Sequence, residues 1–193
     1  MATVETDLMT AEEFFDWANR QENEDKFFEL ECGEIVEMPN PSELHGVVCF
    51  LIARILGNFL FQRGKGYLCC NDSGLLIARD PDTVRGPDLM LFDESRPLDA
   101  LSRKFTERIP KLIIEVLSPS DQITKVNLRI SQFLKRGVPL AWLVDPEVRS
   151  VTVYRPGKEH TVVDETEELT GEDALPDLRV RVADLFAMPE KKG

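Results

Sequence analysis

Apolar residues recur along this chain with two different periods. Val47, Val48, Leu51, Ile52, Ile55, Leu56, Phe59 and Leu60 return at helical spacing, which predicts a helix over about residues 43–62 with that face in the core. Thr10 stands ahead of A-E-E-F-F-D-W-A with Glu13 at the third helical position, the pattern of a capping box opening a short amphipathic helix. F-F-E-L-E and E-I-V-E-M flank Cys32-Gly33 and read as a β-hairpin. Y-L-C-C and G-L-L-I-A read as short strands around N-D-S, and R-D-P-D-T-V-R-G as a loop rich in turn formers. Pro87-Asp88 opens a strand L-M-L-F. Residues 121–136 predict a helix ending at Gly137 and capped by Ser120 or Asp121. P-L-A-W-L-V-D and S-V-T-V-Y-R read as strands joined by P-E-V-R, and T-V-V, an acidic loop and L-R-V-R-V-A-D-L-F close the chain. The sum is a mixed α/β, α+β-like domain spanning residues 1–193: a central sheet flanked by helices, with an N-terminal helix and hairpin.

One run breaks the rule that apolar strands stay apolar. In K-L-I-I-E-V-L-S-P-S-D, residues 111–121, Glu115 interrupts a strand that shows no wet face. Desolvating a carboxylate costs several kcal/mol unless a cation meets it. Asp88 opens another apolar strand, so two carboxylates on neighbouring strands could share one hard cation with the Val116 carbonyl. Mg²⁺, with Mn²⁺ as the alternative, takes one or two protein carboxylates and completes its shell with water and substrate phosphate. The competing expectation is structural: Asp88 as a turn residue, and Glu115 paired with an arginine such as Arg85.

Composition narrows the setting. The chain has 193 residues, 42% of them apolar and 30% charged, an ordinary globular profile. No apolar stretch approaches the ~20 residues of a membrane span, so no membrane partner is expected. M-A-T-V-E-T-D-L lacks the pattern of a secretory signal, and the expected location is the cytoplasm. Cys32, Cys49, Cys69 and Cys70 form no C-x-x-C pair, and the two histidines, His45 and His160, lie far apart in sequence, so reduced, buried thiols are expected. The net charge of −12 disfavours non-specific nucleic-acid binding. Much of the acid falls in 164–173, however, while Arg54, Arg63, Lys65, Arg79, Arg85, Arg96, Arg103, Lys104 and Arg108 fall mid-chain. A local basic cleft stays compatible with that distribution.

The stretches F-E-L-E-C-G-E-I-V-E-M-P-N-P-S-x-x-H-G (28–46), D-P-D-T-V-R-G-P-D-L (80–89), P-K-L-I-I-E-V-L-S-P-S-D (110–121), G-V-P-L-A-W-L-V-D-P (137–146) and V-T-V-Y-R-P-G (151–157) carry a resemblance. In order and spacing the chain resembles the Uma-two family of endonucleases, within the PD-(D/E)XK nuclease-like superfamily. The resemblance implies a restriction-endonuclease-like core and metal-dependent hydrolysis of phosphodiester bonds in DNA. Residue by residue it makes Asp88 and Glu115 the metal-binding acids and Glu29 an additional acid from the N-terminal part. His45 also matches a family position, where an imidazole could orient water or phosphate. Its structural alternative is a local cap or a packed ring. Without a metal, three crowded acids would repel one another.

The chain departs from the superfamily pattern at one place that matters. Lysine is wanted two residues after the second acid, and Leu117 stands there. In the family the basic role passes to the following helix, which offers Lys125 and, one turn later, Arg129. Arginine keeps the charge but cannot readily act as a base. P-L-A-W also lacks the acid often found after G-V-P. Two rival functions therefore stand beside the Mg²⁺-dependent endonuclease. One is a catalytically inactive nuclease-fold module for binding or assembly, with a homodimer as one form. The other is a metal-dependent phosphoesterase acting on a small substrate.

Overall fold

The computed structural model describes residues 8–119 and 121–189. The backbone divides into two compact units. One is built from residues 1–40, 74–86 and 102–108, the other from 41–73, 87–101 and 109–193.

The first unit opens with helix α1 (Ala11–Ala18). Thr10 Oγ1 accepts from the Glu13 N–H, and the Glu13 carboxylate accepts from the Thr10 N–H, the expected reciprocal cap. Strands β1 (Phe27–Glu31) and β2 (Glu34–Met38) form the expected hairpin, with Glu29 opposite Val36. Its two-residue turn requires positive φ at both positions, which Cys32 (50°) and Gly33 (80°) supply. Gly33 is also required by space, because a Cβ there would lie 2.5 Å from Leu8 Cβ. The stretch read as a turn-rich loop holds a strand instead, β5 (Thr83–Arg85), between β1 and β4 (Leu75–Ala78) in a sheet of order β2-β1-β5-β4. Thr83, Val84 and Arg85 are all buried, so backbone pairing on both sides outweighs the local turn preference.

The second unit is organised around a six-stranded sheet of order β10-β9-β8-β7-β6-β3. Its strands are β3 (Tyr67–Cys70), β6 (Leu89–Phe92), β7 (Leu112–Val116), β8 (Ala141–Asp145), β9 (Ser150–Tyr154) and β10 (Thr161–Val163). Neighbours run antiparallel except β7 and β8, which are parallel and therefore need a crossover, here helix α3 (Ile123–Arg136). Helix α2 (Glu43–Arg63) packs Val48, Ile52 and Leu56 on the face that carries Leu89, Ile114, Trp142 and Val144. Alternation turns Glu115 and Leu143 to the other face, where Ile130 and Leu134 of α3 line a groove with Leu143. The sheet is thus mixed and helix-flanked, as the chain pattern implies.

Several local expectations change. The strands read on either side of N-D-S join different sheets, and Asn71 and Asp72 between them both have positive φ. The acidic stretch is more than a solvated loop: it contributes β11 (Glu168–Gly171), paired with β12 (Leu175–Arg181), because Leu169 turns inward beside Leu178 and Val180. Helix α3 starts at Ile123 after Gln122, which makes no side-chain cap. Asp121 instead accepts from the Ser118 N–H, and Ser120 lies outside the described residues. All four cysteines are free and none is fully buried. Finally, α2 is long and apolar enough to cross a membrane by length and composition, because His45, Arg54 and Asn58 interrupt its apolar run without lowering its average much. Val48, Leu51, Ile52, Leu56 and Leu60 are nevertheless buried.

Candidate functional site

The β6–β7 ladder sets the site. Leu89 pairs with Ile114 and Met90 with Ile113, so continuing the register one step brings Asp88 level with Glu115. Both therefore sit at the same end of adjacent strands. Asp88 Oδ2 accepts a 2.6 Å hydrogen bond from the Val116 N–H, which fixes its carboxylate to the end of β7. Asp88 Oδ1 lies 3.1 Å from His45 Nε2. Ser42 caps α2 by accepting from the His45 N–H, so the same turn that starts the helix places this imidazole. Glu115 meets Arg129 Nη2 at 3.1 and 3.4 Å, from the middle of α3.

These pairs are largely screened from water, with side-chain exposures of 13% and 9% for His45 and Asp88 and 13% and 11% for Arg129 and Glu115. The Asp88 hydrogen bond pushes the His45 pKa up against the opposing effect of burial. The charges of Asp88, Asp72 and Asp121 push the same way. The sign follows: the stabilisation from this pair is complete below the ordinary histidine pKa of about 6.5 and fades as pH rises through the raised value. We expect the His45 ring pKa, followed by NMR, to fall on Asp88→Asn; an unchanged titration would show that Asp88 does not hold the proton there. Burial and the surrounding charges of Asp88, Asp72, Cys70 and Glu115 push the Cys49 thiol well up. Its Sγ lies 3.7 Å from His45 Nδ1.

Of the residues singled out from sequence, Asp88, Glu115, Val116, His45 and Arg129 all fall in this unit, as the pairs His45–Asp88 and Arg129–Glu115, with the Val116 N–H donating to Asp88. Lys125 is exposed and makes no ion pair among the described residues. Glu29 belongs to the other unit, where it accepts from Arg85 Nη1 at 2.9 Å and from the Gly86 N–H at 2.8 Å. Arg85, the arginine offered for Glu115 in the structural alternative, instead joins Glu29 and Glu31. Arg129 takes Glu115. Leu117, where the superfamily pattern has lysine, lines the groove beside α3. Cys49, Asp72 and Asp121 were missed; for Cys49 the signal was its position four residues after His45 on one helix face.

The donor set suits a hard divalent ion. Asp88 and Glu115 stand level in the strand register, Asp88 beside the His45 imidazole and Glu115 beside the Arg129 guanidinium, and carboxylate oxygens are the ligands such an ion takes. Asp88, Glu115 and the Val116 carbonyl are the atoms that the sequence expectation assigns to it.

A family model described as "Uma2: Putative restriction endonuclease" matches residues 11–183. A crystal structure of a putative nuclease belonging to DUF820, from Anabaena variabilis ATCC 29413, superposes with a TM-score of 0.77 at 24% identity, covering 92% of this chain and 97% of that one. That likeness establishes the fold. A search of functionally curated proteins finds no match. With the family model spanning both units, the chain belongs to the Uma2 family of restriction-endonuclease-like nucleases.

Proposed function

We propose that the chain is a Mg²⁺-dependent endonuclease, with Mn²⁺ as an alternative ion, that cleaves phosphodiester bonds in DNA. The observation that carries this reading is the level placement of Asp88 and Glu115 at one end of β6 and β7, beside His45 and Arg129. A divalent ion bound there supplies an activated water and charge stabilisation at the leaving oxygen. The chain's own residues do the rest. The Val116 N–H and the His45 imidazole hold the plane of the Asp88 carboxylate from two sides. Arg129 keeps a permanent positive charge beside Glu115, suited to a phosphate oxygen and unsuited to taking a proton. The α2 N-terminus adds backbone N–H groups favourable to an anion. Nicking of supercoiled plasmid with Mg²⁺ or Mn²⁺ tests the reading, and its absence with both ions removes it.

One observation favours the second reading, a nuclease fold kept as an inactive binding or assembly module, such as a homodimer. Glu115 is already neutralised by Arg129 without any ion. The two readings separate on Arg129→Ala. Loss of a hydrogen-bonded partner to a screened charge should cost about 2 kcal/mol in the absence of metal. If the carboxylates bind a divalent ion, Mg²⁺ should restore much of that loss and raise the melting temperature of the variant more than that of the wild type. Equal shifts in both proteins would favour the inactive module.

A further inference from the structure

His45 and Cys49 are one helical turn apart on α2, and both face the carboxylate that opens β6. One ligand atom from each of His45, Cys49 and Asp88 can be chosen so that all three lie within 4.8 Å of one another, and all three residues are half-buried. We infer that this trio is a site for a borderline-soft divalent cation such as Zn²⁺ or Co²⁺, chemically distinct from the oxygen-only set of Asp88, Glu115 and the Val116 carbonyl.

Three observations support the assignment. The ligand types are one nitrogen, one sulfur and one oxygen, a set found on zinc and foreign to Mg²⁺, which demands oxygen. The spacing also fits. On a tetrahedral zinc, with bonds of about 2.3 Å to sulfur and about 2.0 Å to nitrogen, the two ligand atoms stand about 3.5 Å apart. Cys49 Sγ and His45 Nδ1 are 3.7 Å apart, close to that spacing, while Asp88 Oδ1 rests 3.1 Å from the other ring nitrogen, Nε2, so its carboxylate must turn toward the ion. The surroundings are anionic, with Asp72 and Asp121 adding to the negative field at His45. With three protein ligands, a fourth position is left for water or an exogenous donor. Binding replaces the proton of the Cys49 thiol, and any proton on the coordinating ring nitrogen, with the metal; those protons pass to solvent. A thiolate and a carboxylate then balance the two positive charges.

The site shares Asp88 with the proposed nuclease centre but requires no cleavage activity, so the two readings fail separately. The test is a Co²⁺ titration of the full chain followed by absorption. The expected result is a thiolate-to-cobalt charge-transfer band in the near ultraviolet that saturates at one equivalent and is displaced by Zn²⁺. Cys49→Ala should remove the band. The triple variant Cys32→Ser, Cys69→Ser, Cys70→Ser should keep it, as should Glu115→Gln. Absence of the band in wild type or in the triple variant, or its survival in Cys49→Ala, overturns the assignment. Its loss in Glu115→Gln overturns the claim that the two donor sets are distinct. Because the triple variant retains Cys49 alone, it decides the matter even if Cys49→Ala does not fold. A positive band with no plasmid nicking would leave this site standing and remove the nuclease reading.

Discussion

Asp88→Asn is expected to abolish plasmid nicking while leaving the fold in place. The substitution keeps the shape of the side chain and its Oδ acceptor for the Val116 N–H, but removes the charge that faces His45 and would bind a divalent ion. Loss of an outer-shell partner alone typically costs 10–100-fold in metal affinity or activity, so loss of a direct carboxylate ligand should cost at least about 100-fold. Two measurements should move together: the nicking rate, and the rise in melting temperature that Mg²⁺ gives the wild type. Glu115→Gln should repeat the pattern. A variant that nicks at the wild-type rate would remove Asp88 from the chemistry, whatever the family likeness.

The second large effect is on stability and lies in the other unit. Arg85 and Glu29 form an ion pair in which each side chain is only 5% exposed, and Arg85 also reaches Glu31. Removing one partner of such a pair leaves a desolvated charge without compensation, which costs about 3–5 kcal/mol. Arg85→Ala should therefore lower the urea midpoint sharply by weakening the junction of β1 with β5, where Leu30 pairs with Val84. Glu29→Gln should cost less, since the amide oxygen can still accept from the Gly86 N–H. Equal and small losses in both variants would mean that the pair contributes little beyond packing. The same measurement bears on function: a Glu29 variant that is less stable yet nicks normally assigns this carboxylate to structure, not to the additional acid implied by the resemblance.

What could be read from the sequence was mostly what is decided locally. The α1 cap, the Cys32-Gly33 hairpin and the long α2 each depend on residues within a few positions of one another, and each formed as the pattern implied. Strand β5 did not show, because three residues among turn formers carry too little pattern, and only pairing with β1 and β4 makes them a strand. The same holds for β11, whose single inward Leu169 sits among acids. The destination of β3 and β4, consecutive in sequence but in different sheets, is a long-range matter that no short window contains. At the site, Glu115 was visible because a charge inside an apolar run demands a partner. Arg129 was visible as a cation on the next helix, but its pairing with Glu115 depends on how α3 crosses the sheet. Cys49 escaped because its neighbours Val48 and Ile52 made that face read as core alone.

The interleaved make-up of the two units governs how this polypeptide must acquire its shape. The chain changes unit after residues 40, 73, 86, 101 and 108, so neither unit is a continuous segment. On the ribosome, the hairpin of β1 and β2 must wait for β5 to emerge before its sheet can extend, and residues 102–108 later still. Such dependence on distant partners slows folding and lengthens the exposure of unpaired strand edges. It also means that no single cut separates the units: a break at any one of those joints leaves parts of at least one unit on both sides.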